Sequence, residues 1–401
     1  AHYNIKRKDL CSLKGLIPVK NQATGANAHV EDCYLACVVG ARPNFMKMAP
    51  LLHALEAFPR IRPVLIHTGQ HYDKSLSDVF FEELRMKRPD ISLEVGSGDP
   101  GGQTARGLER FGAVLKKGPA GASRYHRVVV VGDVNSTMAA TLAAVKLGVP
   151  VAHVEAGLRS FDRTMPEEIN RLVTDAISDL LWTPSPDGDE NLLREGVPTE
   201  RIIRVGNIML DSFEMQRERI SADGTAAQLD LTQGGYGVVT LHRPANVDGF
   251  EALDLLTEQL VAAAEMVPLV FPVHPRTRSS LQQHKLLDRL EACPDILLIE
   301  PLGYIQFMGV VTGAMLVITD SGGLQEETTY LDIPCITLRP NTERPITISE
   351  GTNCLAQPAE LSANVKKVIQ GDWPTGRIPE YWDGKTASRC VASLRTYIEN
   401  T

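Results

Sequence analysis

Residues 128–171 constrain the fold more than any other stretch, because they contain two short apolar segments separated by a helical one. Residues 128–131 read VVVV and residues 151–154 read VAHV. Apolar runs without polar alternation are typical of parallel strands that are buried on both faces. The alanine-rich segment between them begins with cap-type residues near Asn135 and closes at Gly148. The pattern therefore predicts a strand–helix–strand unit of a parallel sheet.

Acidic residues follow both predicted strands of this unit. Asp133 comes just after the first strand and Glu155 just after the second, while Glu167 and Glu168 follow Pro166 at the start of another predicted helix. Open α/β sheets bind ligands at the carboxyl ends of their strands. Several carboxylates at one edge are suited to removing a proton from one face of a carbon and returning it to the other face.

Composition excludes several classes of function. The 401 residues carry a net charge of −8, which argues against a nucleic-acid partner. No apolar run reaches the ~18 residues of a membrane span, so no membrane partner is expected. The seven cysteines are scattered and contain no CxxC pair. This usage predicts a reduced, cytoplasmic chain, and no metal site is expected.

The alternation of strand and helix patterns extends along the chain and restarts near residues 205–210. It predicts an α/β protein with two parallel sheets, each covered by helices on both faces. Four regions are expected: an extension at 1–33, a first lobe at 34–206, a second lobe at 207–385, and a C-terminal helix at 386–401 that returns to the first lobe.

Two segments predict anion sites. Arg42 and Lys47 lie at the start of a predicted helix directly after a strand, where backbone N–H groups and two cations attract an anion; a solvated basic helix start is the alternative. No GxGxxG turn is present, so no nicotinamide cofactor is expected. The turn at residues 321–323, Ser-Gly-Gly, opens a helix and lets the backbone approach a diphosphate closely.

Other polar residues follow predicted strands in the same way. Arg344 is suited to a bidentate contact with phosphate. Glu327 is suited to holding ribose hydroxyls. A helix-surface acid is the alternative for both Glu326 and Glu327, and the residues alone do not separate the two. His71 follows the second predicted strand, and a structural loop histidine is the alternative for this residue.

Eight motifs occur in order between residues 35 and 395. They are GARPNFMKMAPL, HTGQHYD, GDVNSTMAA, HVEAGLRSF with MPEEINR, TLHRPANVD, PVHPRT, TDSGGLQEE and NTERPITISEGTN. With this set the chain resembles the non-hydrolysing UDP-N-acetylglucosamine (UDP-GlcNAc) 2-epimerases. The resemblance implies two Rossmann-like lobes facing a cleft, as in the GT-B type of glycosyltransferase.

The resemblance also implies a reaction on a UDP-sugar. UDP is eliminated to leave a 2-acetamidoglucal, and is added back after C2 is protonated from the opposite face. No cofactor and no metal is required. The catalytic residues of the family match Asp133, Glu155, Glu167 and His242. Its substrate and UDP contacts are expected at Arg42, Lys47, Gln70, His71, Arg159, His274, Phe307, Ser321, Gly322, Gly323, Glu327 and Arg344.

The chain departs from the family pattern at two places. Some members have GHRRES where this chain has LHRPAN, which affects Arg243 and Asn246, and a glutamine that contacts uracil in some members is Leu302 here. A hydrolysing epimerase that releases ManNAc, an epimerase for UDP-2,3-diacetamido-glucuronate, a nucleotide-sugar sensor and a glycosyltransferase are the alternatives. A homodimer is expected.

Overall fold

The structure is a computed structural model that describes residues 32–69, 81 and 83–399. Residues 1–31 of the expected N-terminal extension lie outside this range. Cys33, placed at the end of that extension, is the first residue of a strand.

The first lobe contains a seven-stranded parallel sheet in the order β3-β2-β1-β4-β5-β6-β7. Its strands are β1 Cys33–Val39, β2 Ile61–His67, β3 Ile91–Ser92, β4 Arg127–Val131, β5 Val151–Val154, β6 Leu180–Thr183 and β7 Ile202–Arg204. Its helices are α1 Arg42–Leu55, α2 Pro100–Lys117, α3 Asn135–Lys146, α4 Pro166–Ile177 and α5 Pro186–Arg194, followed by a short 3₁₀ helix, Thr199–Arg201.

The second lobe contains a six-stranded parallel sheet in the order β10-β9-β8-β11-β12-β13. Its strands are β8 Gly237–Thr240, β9 Leu269–Pro272, β10 Ile296–Ile299, β11 Leu316–Thr319, β12 Cys335–Thr337 and β13 Asn353–Leu355. The helices after the first lobe are α6 Ile208–Ser221, α7 Thr225–Gln228, α8 Pro244–Val247, α9 Phe250–Ala264, α10 Pro275–Gln283, α11 Leu287–Glu291, α12 Tyr304–Val311, α13 Gly322–Tyr330, α14 Ile346–Ser349, α15 Leu361–Ile369 and α16 Thr386–Glu399, with a short 3₁₀ helix at Pro358–Glu360.

The two parallel sheets confirm the α/β class predicted from the sequence. Strand β4 shows why its sequence is unbroken valine: Val129 and Val131 pack into the core on one face of the sheet, and Val128 and Val130 into the core on the other. Both faces are covered at these four residues, and the one polar residue of the strand, Arg127, lies at its start. None of the described helices is both long and apolar enough to cross a membrane.

Two helices connect the lobes. Helix α6 packs against α1 of the first lobe and against α12 and α13 of the second. Helix α16 also packs against α1, and its residues Cys390, Val391 and Leu394 are buried in the same core as strand β1. The indole N–H of Trp182 in β6 donates to the hydroxyl of Ser393 at 2.7 Å.

Candidate active site

The predicted site residues lie where each sheet reverses its strand order. In the first sheet this point falls between β1 and β4, and in the second between β8 and β11. Asp133 follows β4, His242 follows β8, and residues 321–323 follow β11. Ligands bind in doubly wound folds outside the carboxyl ends of the strands at such reversals. The topology therefore provides one candidate site on each lobe.

Glu155 is the most constrained acid on the first lobe. Its backbone φ is +69°, in the left-handed region that side-chain-bearing residues rarely adopt. One carboxylate oxygen, Oε2, forms an ion pair with the ammonium group of Lys47, and both side chains are almost completely buried. The other oxygen, Oε1, is buried without a hydrogen-bond partner. Backbone strain of this kind is concentrated at functional sites.

Asp133 is held by the helix that carries the next acids. Its carboxylate forms an ion pair with Arg171, and its backbone carbonyl accepts from the side-chain amide of Asn170 at 2.8 Å. The two adjacent glutamates on α4 differ. Glu168 is buried and accepts from the backbone N–H of Ser160 at 3.0 Å, whereas Glu167 is exposed.

The environment of Glu168 indicates an anchoring role. Burial acts to raise the pKa of its carboxyl, but hydrogen bonds from Ser160, Arg171 and Phe161 outweigh burial and lower that pKa. Glu167, in contrast, interacts electrostatically with Arg243 of the second lobe. Burial lowers the pKa of Arg243, and the charge of Glu167 works in the opposite direction. The exposed acid therefore lies within electrostatic reach of Arg243.

His242 on the second lobe is oriented by an aspartate that sequence reasoning missed. Its Nδ1 lies 2.9 Å from Asp320 Oδ1, and the Asp320 carboxylate also accepts from the backbone N–H groups of His242 and Arg243, at 3.0 and 2.9 Å. Burial raises the pKa of Asp320, but the bond to His242 and the backbone contacts lower it overall. The position of Asp320 directly after strand β11 was the available signal.

The Ser-Gly-Gly turn lies against the segment that carries Arg344. A Cβ added at Gly322 would come within 2.8 Å of Glu343 Oε1 and 2.9 Å of an Arg344 terminal nitrogen, so a larger residue here would displace the ends of these two side chains. A Cβ at Gly323 would meet no atom within 4 Å. The start of α13 therefore has side chains packed against Gly322 and free space beside Gly323. An anion needs such space to approach the backbone N–H groups of a helix start.

Arg344 is buried among three carboxylates. Its Nε lies 2.8 Å from Glu326 Oε1, a terminal nitrogen lies 3.9 Å from Glu155 Oε1 of the first lobe, and Glu343 forms a third ion pair. Burial works to lower the pKa of the guanidinium, but these acids and Asp133 raise it well above its usual value. The structure thus brings together Asp133, Glu155 and Arg344, which come from both lobes.

The interpretation of Glu326 as a surface acid is wrong, because this side chain is only 1% exposed. Burial raises its pKa to about 7, although the charge of Arg344 acts in the opposite direction. Glu327 is also buried, and it accepts from the Tyr304 hydroxyl at 2.7 Å. Burial raises the pKa of Glu327 to about 7. The polar sequence of helix α13 suggests an exposed helix, but residues 324–329 are all buried.

The structure gives Arg159 a different environment from the one expected for a ligand contact. Its guanidinium is buried, and all three nitrogens bond to protein groups, namely the carboxylates of Asp175 and Glu195 and the carbonyl of Leu158. These partners all belong to the first lobe. Arg159 therefore stabilises the loop after β5 and has no nitrogen left unbonded for a ligand.

The remaining expected contacts are described only in part. The ring of His274 is exposed and lies 5.7 Å from the ring of His242, and burial with the charge of His242 lowers its pKa. Phe307 packs partly buried against the core of the second lobe. Gln70, His71 and the side chain of Arg42 lie outside the described residues. Within the described part of the chain, no three His, Cys, Asp or Glu side chains cluster as metal ligands.

The fold and this cleft define a two-lobed α/β enzyme of the GT-B type. The profile of the UDP-N-acetylglucosamine 2-epimerase family matches residues 53–395. A protein from Methanocaldococcus jannaschii named UDP-N-acetylglucosamine 2-epimerase is 42% identical over 376 residues, which cover 90% of this chain and 98% of the relative. The chain therefore belongs to the UDP-N-acetylglucosamine 2-epimerase family and is an isomerase.

Two further comparisons bear on the ligand. The crystal structure of the M. jannaschii UDP-GlcNAc 2-epimerase in complex with UDP-GlcNAc and UDP superimposes with a TM-score of 0.78 at 38% identity, covering 90% of this chain and 99% of that one. A Pseudomonas aeruginosa protein named UDP-2,3-diacetamido-2,3-dideoxy-D-glucuronate 2-epimerase is 37% identical and covers 89% of this chain and 98% of its own length. Family membership alone therefore leaves the sugar open.

Proposed function

We propose that the protein interconverts UDP-GlcNAc and its C2 epimer UDP-ManNAc by eliminating UDP and adding it back. The observation that carries this proposal is Glu155: a strained, buried carboxylate at the carboxyl end of β5 whose Oε1 has no hydrogen-bond partner. A base that must take a weakly acidic proton from carbon needs a free oxygen held in a fixed direction.

The first lobe supplies the proton transfers in this proposal. Glu155, Asp133 and Glu167 are the acids and bases that act at C2 and at the departing oxygen. Lys47 holds one oxygen of Glu155, and Arg171 holds Asp133. Each of these two carboxylates is thus fixed by one cation, which limits the reorganisation needed during the reaction.

The second lobe binds UDP in this proposal. The N–H groups at the start of α13, the guanidinium of Arg344 and His242 receive the diphosphate, on which negative charge develops as it departs. Glu327 and Phe307 contact the nucleoside. The Asp320–His242 hydrogen bond fixes the ring, so that Nε2 is directed away from Asp320. In this proposal the proton-transfer acids thus belong to the first lobe, and the start of α13, Arg344 and His242 belong to the second.

The alternatives differ in what they require of the first lobe. A sensor or a glycosyltransferase needs the anion-binding groups but has no need of a strained carboxylate with one oxygen left without a hydrogen bond. An epimerase for a diacetamido-glucuronate would use the same acids, and the 37% relative supports that second candidate less strongly than the 42% relative supports UDP-GlcNAc. A cytoplasmic homodimer remains part of the proposal, and light scattering of the purified protein tests the dimer.

One NMR experiment tests the reaction. The protein is incubated with UDP-GlcNAc in D₂O, and UDP-ManNAc that carries deuterium at C2 is expected, because the side chains exchange with solvent between removal and return of the proton. UDP-ManNAc that retains the original hydrogen would contradict elimination. Free ManNAc with an equal amount of UDP would identify a hydrolysing enzyme, and turnover only of UDP-2,3-diacetamido-glucuronate would identify the modified-sugar epimerase.

A further inference from the structure

His153 is a buried histidine of strand β5 that the proposed reaction does not use. Its side chain is completely buried, its Nδ1 lies 2.6 Å from Asp175 Oδ1, and its Nε2 lies 2.9 Å from the carbonyl oxygen of Gly132. Both ring nitrogens therefore face an oxygen atom. Which nitrogens carry protons follows from the chemistry of those two oxygens.

The carbonyl oxygen of Gly132 can only accept a hydrogen bond, so Nε2 of His153 must carry a proton. A neutral ring would then leave Nδ1 without one, and Asp175 would have to be the protonated partner. The other oxygen of Asp175 accepts from the backbone N–H of Gly157 at 3.0 Å and from Arg159 at 2.7 Å. Two donors on one oxygen favour the carboxylate form.

The charges around this pair balance. Burial acts to raise the pKa of Asp175, but the charges of His153 and Arg159 outweigh it and lower that pKa. Arg159 in turn forms an ion pair with Glu195 at 2.7 Å. Two cations and two anions thus form one chain of contacts, which is how buried charges are tolerated in folded proteins.

This chain of contacts reaches both loops that carry the proposed catalytic acids. Gly132 directly precedes Asp133, and Gly157 lies two residues beyond Glu155. The second loop is strained: Glu155 and Gly157 both have positive φ, and a Cβ at Gly157 would lie 2.3 Å from the carbonyl oxygen of Gly188. A strained loop needs contacts elsewhere to hold it in place.

We propose that His153 and Asp175 form a buried imidazolium–carboxylate pair that positions Asp133 and Glu155 relative to each other. The imidazolium bonds to the loop after β4, and the carboxylate bonds to the loop after β5. His153 and Asp175 are positioning residues, since neither faces the cleft groups described above. Their effect on catalysis rests on the proposed function, whereas the charge state of His153 does not.

The charge state is tested by NMR of the full-length protein with ¹⁵N-labelled histidine, the His153 signals being assigned by their loss in His153→Gln. An imidazolium gives two similar ring-nitrogen shifts, and a neutral ring gives two widely separated ones. The imidazolium pattern is expected at pH 7, because Nδ1 and Nε2 each face an oxygen that can accept a hydrogen bond. A neutral ring at pH 7 would overturn the proposal.

The positioning role is tested with Asp175→Asn in the epimerisation assay. The expected result is a loss of kcat of about 10²-fold, the size typical of a misplaced catalytic group, with the dissociation constant of UDP nearly unchanged. Asp211→Asn is the matched control, because Asp211 is also a buried carboxylate that accepts two backbone N–H groups, from Thr386 and Ala387. That control should lower the Tm without lowering kcat.

The two tests separate the possible failures. Unchanged kcat in folded Asp175→Asn, or an equal loss of kcat in Asp211→Asn, would overturn the positioning role. If the wild-type protein epimerises neither UDP-sugar, the proposed function fails, but the NMR experiment still decides the charge state of His153. If Asp175→Asn does not fold, His153→Gln replaces it, since an amide can still donate to the Gly132 carbonyl.

Discussion

The two lobes have the same strand order around their central reversal, yet the carboxyl edges of their sheets carry opposite chemistry. The first lobe presents carboxylates that are each held by one cation, as in Glu155 with Lys47 and Asp133 with Arg171. The second presents a glycine turn and Arg344, which forms ion pairs with Glu326 and Glu343. In the proposed function, one architecture thus provides an anion-binding edge and a proton-transfer edge, and the side chains after each strand determine which of the two an edge becomes.

The acids of the second lobe need explanation, because a diphosphate site should not be negative. Burial raises the pKa of both Glu326 and Glu327 to about 7, so each is partly protonated near neutral pH. Glu343 differs, because the charges of Arg344 and Arg339 overcome the effect of burial and keep its pKa far below the usual value. Of the acids that contact Arg344, Glu326 therefore carries less negative charge than a fully ionised carboxylate.

The largest expected effect lies on the first lobe. Glu155→Gln removes the proposed base but preserves its shape, and should lower kcat by about 10²–10⁴-fold, the usual contribution of a general acid or base. UDP binding should stay within a few-fold, because Glu155 is not needed for the diphosphate. Turnover in saturating UDP-GlcNAc and calorimetry with UDP measure the two effects, and circular dichroism confirms folding.

The matched variant for this comparison is Glu343→Gln, which changes an equally buried acid on the second lobe. It should alter UDP affinity through Arg344 while kcat changes little. Near-normal epimerisation by Glu155→Gln, or a loss of kcat in both variants alike, would contradict the separation of roles between the lobes.

The next effect lies on the second lobe. Arg344→Ala should weaken UDP binding by about 1.5–3 kcal/mol, as expected for a hydrogen bond to a charged group. Isothermal calorimetry with UDP measures it. Arg344→Lys is the control, since it keeps the charge near Glu326 and Glu343 but loses the planar fork, and it should recover only part of the affinity. Unchanged affinity in the alanine variant would place Arg344 outside the UDP site.

A third prediction concerns how stability depends on pH at Glu327. Its folded pKa, about 7, lies above the ordinary value of 4.5. Below 4.5 the group is protonated in both states; as pH rises toward 7, the unfolded chain releases the proton first. Wild-type stability therefore falls over this window, by about 1.4 kcal/mol for each pKa unit. Glu327→Gln, whose amide oxygen can still accept from Tyr304, should escape that loss.

Urea denaturation at pH 5 and pH 8 measures the difference between Glu327→Gln and wild type. The variant should gain stability relative to wild type as pH rises. Glu343→Gln should show little change between these two pH values, because a lowered folded pKa stabilises the wild type fully above the ordinary value of 4.5, and that stabilisation is lost only as pH falls below it. A difference that does not change with pH would mean that Glu327 is not held neutral by burial.

Particular elements show what the sequence could predict. Strand β4 was recognisable because valines on both faces are buried, and α4 because Pro166 begins it. Strands β3 and β13 were missed because two and three residues at a sheet edge leave too short a pattern. The unbroken apolar runs that fill a covered sheet interior are therefore readable, while Ile-Ser in β3 and Asn-Cys-Leu in β13 contain no such run.

The sequence predicted where the candidate site residues lie along the sheet edges, but it did not predict which neighbours their side chains contact. Acids after β4 and β5 had to lie at one edge, whichever way their side chains turn. The role of Asp320 and the burial of Glu326 depend on which neighbour each side chain meets, and only the packed structure determines that. Arg159 belongs to a motif of the resemblance, yet its side chain turns into the first lobe toward Asp175.

The smallest expected effect concerns the Arg344–Glu155 ion pair. Among the ion pairs described above, it alone joins a residue of the second lobe to a residue of the first. Arg344 and Glu155 face each other at 3.9 Å, too far for a hydrogen bond, so the lobes should gain little from this pair. A double-mutant cycle with Glu155→Gln and Arg344→Gln should give a coupling of less than about 1 kcal/mol in the free energy of unfolding.

The same cycle with Lys47→Gln in place of the Arg344 variant provides the comparison, because Lys47 and Glu155 form a close, buried ion pair within one lobe. Its coupling should be clearly larger, since removing either partner leaves a buried charge without its counter-ion. The lobes would then be joined mainly by α6 and α16, which pack on α1, and the cleft would remain free to rearrange around a ligand. Equal coupling in the two cycles would instead show that the Arg344–Glu155 ion pair itself holds the cleft closed.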